Sequence, residues 1–443
     1  MGGVTRGGFG PANTQRTDAA PKAYVVPWRI LNGNDAPLQT PVVLYWFPAT
    51  ADEMNTSDLV SSRMLTLYST RCVGMQLVRP DDKETIAKWN VGANLPVVLL
   101  VSDGKEVARV KADKGVLLLA DVENMVHHEL YLRETALDNE IAKARQKEKA
   151  DHDGAVATYQ KVWEARCVAP DRAREAQKAL RHLGVTVKDA DLRATDPLMT
   201  PAVNRRMTEA MDRALAYEVA GDYERAKSLY LAASLVDPAD PVPLRFLGEL
   251  YRHETGEWDL ARKTFDRLLA FQPDPLSRAV ALHGLGKMTI HMGDSAKGLQ
   301  LFHESLAAYP LALTYRNLAV YWNSERNRAK ADAYVKQALA LDPQDPYNLV
   351  FAATYMADSG RRDEALRIAG NNESLLSASY NLAAIYALLG NKGKAMELLH
   401  RHFYAYERYD AVRAKEMWEA RVDYVFASLR NDPDFVKLTA MAQ

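Results

Sequence analysis

Gly221-Asp-Tyr-Glu-Arg-Ala226 and Gly256-Glu-Trp-Asp-Leu-Ala261 are one six-residue phrase written twice, 35 residues apart. Each starts with glycine, which enters a left-handed turn at no steric cost, and ends with a small residue where two helices approach closely. The closing small residue recurs at Gly298, Ala331, Ala365 and Ala395, so the successive spacings are 35, 37, 33, 34 and 30. A repeat of this length is one helix–turn–helix, which cannot bury its apolar face alone and is stable only when stacked on its neighbours.

Outward from these anchors, further positions keep register. A large apolar residue follows at Tyr230, Phe265, Phe302 and Val335, and a proline eight residues later at Pro238, Pro273, Pro310 and Pro343. Upstream stand the small residues Ala214, Gly248, Gly286, Ala319, Ala353 and Ala383, with aromatics three later at Tyr217, Tyr251, Trp322 and Tyr386. Together these residues resemble the tetratricopeptide repeat (TPR), over about Val203 to Tyr406. The resemblance implies an all-α solenoid of about six helix pairs wound as a right-handed superhelix. An earlier divergent unit is expected around Gly154-Ala-Val-Ala-Thr-Tyr-Gln-Lys161, and Val422 to Leu438 supplies apolar residues for a C-terminal cap. The fifth unit carries Gly370-Asn-Asn372, which predicts a short second helix and a local change of curvature.

Ahead of the repeats the texture is mixed. Pro41 to Phe47, Val73 to Val78 and Pro96 to Val101 are short, β-branched apolar runs with the length of buried strands. Ser57–Tyr68 and Lys83–Trp89 have helical spacing. Asp103-Gly104 is a type I′ hairpin signal, because both central residues of that turn need positive φ. A long helix is predicted from about Asp121 to Ala150. This order, with Leu95-Pro96 opening a strand, resembles the thioredoxin fold over roughly residues 40–130. The resemblance puts the two redox-cysteine positions at Thr50 and Glu53, beside Pro96 as the family's cis-proline. Disulfide exchange needs a thiolate, so the site is degenerate. Cys72, at the start of the next strand, reads as a buried core thiol.

The predicted organisation is a flexible tail at 1–22, a thioredoxin-like α/β domain at 23–122, and a helical connector at 123–200. A TPR array at 201–406 and capping helices at 407–443 complete it. At 443 residues two or more domains are the default. The 56 basic and 57 acidic side chains give a net charge of -1, which asks for neither nucleic acid nor an anionic membrane. Two cysteines make no disulfide framework, and no apolar run is long enough to span a bilayer. Met1 to Lys22 has no apolar signal core, so the cytoplasm is the expected compartment, with export after cleavage left open.

No catalytic residue, cofactor site or metal site is predicted. His127-His128-Glu129 and His400-x-His402 lack a spacing that shares one ion on a helix. The TPR resemblance implies a ligand groove along the first helix of each pair. Mapped approximately, it is lined by Arg245, Glu249, Arg252, His283, Lys287, Arg316, Asn323, Tyr347 and Tyr380. Such a surface suits an acidic or C-terminal peptide segment, and the competing reading is a polar groove filled with water or with the protein's own tail. The expected function is therefore a non-catalytic interaction scaffold or assembly factor with a redox-inactive second docking domain. The alternatives are a holdase, similar in arrangement to bacterial co-chaperones, and a thiol-dependent enzyme acting through Cys72.

Overall fold

A computed structural model describes residues 22–31, 38–187, 196–270, 272–407 and 410–440. The tail expected at 1–22 lies outside them except for Lys22, as do residues 188–195 of the connector.

The N-terminal sheet has five strands, β1 (Arg29–Leu31), β2 (Val42–Phe47), β3 (Val73–Val78), β4 (Val97–Ser102) and β5 (Lys105–Lys111), in the order β1-β3-β2-β4-β5. β1 and β2 pair parallel with β3, whereas β2/β4 and β4/β5 are antiparallel. Side chains alternate across the pleat. Val42, Leu44 and Trp46 join a core with Leu65, Tyr68, Val122 and Val126, while Val43, Tyr45 and Phe47 meet Ile86 and Trp89 on the other face. Both faces are thus covered, and all six residues of β2, β3 and β4 are buried. Asp103 (φ 48°) and Gly104 (φ 80°) make the expected hairpin turn, and Leu95-Pro96 is cis. β1 carried no signal that sequence reading picked up. The helix expected over Ser57–Tyr68 is split into a 3-10 turn at Asp58–Val60 and a helix from Arg63, because Ser62 leaves the helical region and caps the Leu65 amide.

The helices of this region are α1 (Glu53–Thr56), α2 (Arg63–Ser69), α3 (Lys83–Lys88) and α4 (Leu119–Lys147). α4 has 29 residues, on the order of 44 Å at 1.5 Å per residue. Its first half packs on the sheet through Val122, Val126 and Leu130, and its second half, with Leu137, Ile141 and Ala144, packs on α5 (His152–Glu164) and α6 (Pro170–His182). One rod therefore joins sheet and connector.

Six helix pairs follow: α7 (Pro201–Val219) with α8 (Tyr223–Val236), α9 (Val242–Glu249) with α10 (Trp258–Leu269), and α11 (Pro275–His291) with α12 (Ser295–Ala308). The remaining pairs are α13 (Ala312–Ser324) with α14 (Arg328–Leu341), α15 (Pro346–Asp358) with α16 (Arg362–Asn371), and α17 (Ser379–Leu388) with α18 (Lys392–Arg401). They form a TPR-like solenoid. The turn inside each pair is made by one left-handed residue: Gly221, Gly256, Gly293, Arg326, Gly360 and Gly390. Asp222, Asp294, Asn327 and Asn391 then cap the second helix through their side chains. The period read from the sequence is this turn-plus-cap. α16 has 10 residues against 14 in α8, α12 and α14.

The small residues are packing requirements. A Cβ on Gly286 would stand 2.8 Å from Phe302 Cδ1 and 3.0 Å from the Gly298 carbonyl, closer than real contacts allow. Phe265 and Phe302, one per pair, are fully buried. Arg326 is the one non-glycine among the six turn residues, at φ 58°. Arg326→Gly is expected to stabilise this region by about 0.5–1 kcal/mol, the relieved left-handed strain outweighing glycine's extra unfolded-state entropy. Slower amide exchange in α13 and α14 would show it.

After α18 the chain makes a π turn (His402–Tyr406), then α19 (Asp410–Val422), a 3-10 turn (Tyr424–Leu429) and α20 (Pro433–Leu438). Phe426, Leu429 and Phe435 bury against the last pair with Leu398 and Leu399. No helix among the described residues is long and apolar enough to cross a membrane.

Candidate functional site

The first helices of the pairs carry all nine residues expected to line a groove, apart from Arg252 in the π turn that extends α9. The structure corrects their exposure: Arg245, Glu249, Arg252, His283, Arg316, Tyr347 and Tyr380 are buried, and only Lys287 and Asn323 are half-buried. Two causes account for this.

The first is a ladder of polar struts between neighbouring repeats. Arg245 Nη1 donates to Ser277 Oγ (3.4 Å), His283 Nδ1 bonds Thr314 Oγ1 (3.0 Å), Arg316 donates to Asn348 Oδ1, and Asn381 Nδ2 donates to Tyr347 Oη (3.0 Å). These partners lie 31 to 34 residues apart, about one repeat length, so each strut ties one first helix to the next. Glu249 and Arg252 satisfy each other through two bonds of 2.9 and 2.7 Å. Arg316 also lies over the Tyr347 ring, 4.7 Å from its centroid. The spacing was visible in the sequence, but burial turns a recognition surface into an internal seam.

The second cause is cover by the protein's own chain. The segment before β1 runs extended across the array. The Ala23 amide donates to Asp212 Oδ1 (2.9 Å), its carbonyl accepts from Arg245 Nη2 (2.9 Å), Tyr24 Oη donates to Asp240 (2.6 Å), and Tyr309 Oη donates to the Trp28 carbonyl (3.0 Å). α19 covers the same array further along. His402 Nε2 bonds Glu416 Oε2 (2.6 Å), Lys415 Nζ sits 3.7 Å from the centroid of Trp258, and Tyr380 Oη donates to Asp423 Oδ2 (3.1 Å). Between α19 and the helices α11 and α13 remains a cavity of about 820 Å³, with Lys287, Asn317, Tyr321, Asn323, Trp418 and Val422 in its walls.

Burial sets the electrostatics of this region. Desolvation holds the His283 imidazole well below its ordinary pKa, and the nearby Arg252, Lys287 and Arg316 charges push the same way. His283 is thus neutral at pH 7 and adds no charge to the row of basic residues. Lys287 is lowered to about 8, first by burial and then by Arg252, with Glu419 acting in opposition. The His283 shift carries a pH signature. The unfolded chain takes up its proton near pH 6.5 while the folded chain resists, so stability falls as pH drops below 6.5. Denaturant titrations at pH 6.5 and 5 check it: His283→Asn should reduce the difference, and His291, lowered to about 3 by burial, carries part of what remains.

Thr50 and Glu53, expected as a degenerate redox pair, lie just before and at the start of α1. Thr50 is exposed and its hydroxyl accepts from the Glu53 amide (3.2 Å), while Glu53 Oε2 accepts from the Ala49 amide (2.8 Å). Burial raises the Glu53 carboxyl above its usual range. Pro96 is buried at the head of β4. Cys72 corrects a second expectation: it is half-buried and forms a disulfide with Cys167, Cα–Cα 5.7 Å, joining the start of β3 to the connector. Their sequence separation of 95 hid the pairing, since nothing local brings them together. This removes the thiol on which the thiol-dependent alternative rested.

Sequence reading also missed Arg63. It reaches from α2 into the array, where Nε donates to Asp240 (2.9 Å) and Tyr24 Oη (3.3 Å), Nη1 donates to the Leu198 carbonyl (2.9 Å) and Asn204, and Nη2 pairs with Asp237. His402, Glu407 and Glu416 bring one ligand-type atom each within 4.8 Å of one another, so they are the residues able to hold a metal among those described, although His402 and Glu416 already satisfy each other.

No known protein-family profile matches the chain. It is similar to the CTR9 homolog of Arabidopsis thaliana, with 29% identity over 130 residues, which is 28% of this chain and 12% of that protein. The chain thus spans a small fraction of the curated relative it matches. Solved structures with partial likeness include YrrB, a TPR protein with an unusual peptide-binding site (21% identity, 42% of this chain and 97% of that one, TM-score 0.26). Pseudomonas aeruginosa PilF (17%, 48% and 98%, TM-score 0.33) and the APC/C heterotetramer Cut9–Hcn1 (13%, 67% and 74%, TM-score 0.32) are similar in the same way.

Proposed function

We propose that this chain is a non-catalytic interaction scaffold or assembly factor whose TPR-like array grips a partner polypeptide along its first-helix face. The observation that supports the reading most is that this face already holds two lengths of polypeptide, one extended (Ala23–Trp28) and one helical (Asp410–Val422). A surface that binds main-chain atoms with arginine and tyrosine, and side-chain carboxylates with histidine and tyrosine, has the chemistry of peptide recognition. An acidic segment is the proposed partner, since Lys287 and Arg326 line the remaining cavity, which Asp358, Glu419 and Asp423 line as well.

The sheet domain is, in this proposal, thioredoxin-like and redox-inactive, and serves as a second docking surface beside Thr50, Glu53 and Pro96. Its strand order and the absence of cysteine at those two positions support this. A disulfide closing 95 residues is at home in an oxidising compartment, which favours an exported setting over the cytoplasm.

The test is lysine-directed cross-linking and pull-down from the native source, comparing wild type with Lys287→Glu. One or two stoichiometric partners cross-linked to Lys287, and weakened at least fivefold by the substitution, support the scaffold. A broad mixture of unfolded clients, unchanged by the substitution and growing after heat stress, would replace it with a holdase.

A further inference from the structure

α19 is a strap pinned at both ends. At its start Arg413 Nε donates to the carbonyl of the fully buried Phe403 (2.6 Å), and just beyond its end Asp423 accepts from Tyr380, ahead of the fully buried Phe426. Between the pins its hold is slight. Among the described side chains of the helix, Val412, Met417 and Ala420 are the buried apolar ones, while Trp418 and Val422 remain 54% and 57% exposed. Thirteen ordered residues each lose conformational freedom, and three buried apolar groups offset little of that loss. The described residues leave the flank toward α11 and α13 partly open, as a cleft of about 820 Å³.

What α19 does present is a pattern. Val412, Glu416, Glu419 and Asp423 fall at i, i+4, i+7 and i+11, which is one face of a helix. The array meets that face with hydrogen bonds from His402 to Glu416 and from Tyr380 to Asp423, while the neutral His291 imidazole lies 3.9 Å from Glu419 Oε1. An apolar position followed by three carboxylates is thus matched against two imidazoles and a phenol, with His402 and Tyr380 in ring contact at the end of the array and His291 on α11.

We propose that α19 is a resident pseudo-ligand, and that the scaffold's partner is an amphipathic helix with the same acidic face, which displaces the strap and takes its seat. This rests on the scaffold reading above and names the partner class for it. The fully buried Phe403 and Phe426 anchor the chain on either side, so α19 swings out as a loop, with Asp423 releasing Tyr380, without loss of the C-terminal cap. The cavity beside it gives an incoming helix a first foothold on Lys287 before exchange is complete.

The experiment uses the full-length protein and a labelled synthetic peptide of residues 410–424. Two variants loosen the strap: Ala420→Asp, which puts a charge into a fully buried position, and the milder Glu416→Gln/Glu419→Gln, kept in case the first fails to fold. The peptide is expected to bind the loosened variants at least tenfold more tightly than wild type. A peptide with both glutamates changed to lysine should bind none of them. Excess wild-type peptide should raise amide exchange in α19 of the wild-type protein while α18 and α20 stay protected. Equal affinity for wild type and variants, no binding to any folded variant, or α19 amides unmoved by the peptide would overturn the proposal. If those results come with partner cross-links at Lys287 intact, the strap alone falls; if the cross-links are absent too, the scaffold reading falls with it.

Discussion

Arg63→Ala should destabilise the junction between sheet domain and array by about 3–5 kcal/mol, the range for removing one partner of a buried ion pair. Arg63 is 1% exposed at its side chain, as is Asp237, and Asp240 is fully buried. The guanidinium is the only cation in direct contact with these two carboxylates among the contacts described, and it also holds Leu198, Asn204 and Tyr24. Burial raises the Asp237 carboxyl above its ordinary range, with Asp240 adding to the shift and Arg63 opposing it, so loss of Arg63 leaves two like charges in a dry site. Arg63→Lys should recover only part of the loss, since one ammonium cannot supply the fork that reaches five acceptors. The signature is spatial. Hydrogen exchange should rise first at Ala23–Trp28 and the first turn of α9, while α17 and α18 stay protected. A uniform loss across the chain would show that Arg63 supports global stability, not the junction.

Removal of the Cys72–Cys167 disulfide, by reductant or as Cys72→Ser/Cys167→Ser, is expected to cost about 4–5 kcal/mol by the chain-entropy relation for a loop of this length. The affected unit is the connector. Arg71 donates to the Val168 carbonyl (2.9 Å from Nε) and pairs with Glu134, so polar contacts flank the bridge and keep the native geometry reachable without it. The reduced protein should therefore still fold, with a lower first unfolding transition and faster exchange from Ala165 to His182. An unchanged transition would mean that these contacts, and α4 running through both units, hold the connector by themselves.

The array was legible because its determinants are local. A left-handed residue, a capping Asp or Asn and a small residue five positions after the turn lie within one six-residue phrase, and each acts on its own stretch of backbone. The same holds for Asp103-Gly104 and for β2 and β4, whose short β-branched apolar runs mark them as buried strands. Arg326 shows the limit of such signals: its turn is left-handed without the glycine that would announce it.

The site was legible in its members but not in their roles. Arg245, His283, Arg316 and Tyr347 were placed correctly on the first helices, yet each is spent on a strut or on the Ala23 carbonyl. Sequence position specifies which face of a helix a residue occupies; it does not specify what that face meets. Arg63 with Asp240 is 177 residues apart, Cys72 with Cys167 is 95 apart, and Tyr24 with Asp240 is 216 apart. By itself the sequence determined the repeat, the strands and the absence of cysteine at Thr50 and Glu53, because backbone conformation and residue chemistry are properties of a few neighbouring residues. Only the tertiary structure decided that the array's inner face is occupied, since occupancy is set by the solvent that distant segments exclude when they dock, and no local pattern encodes that.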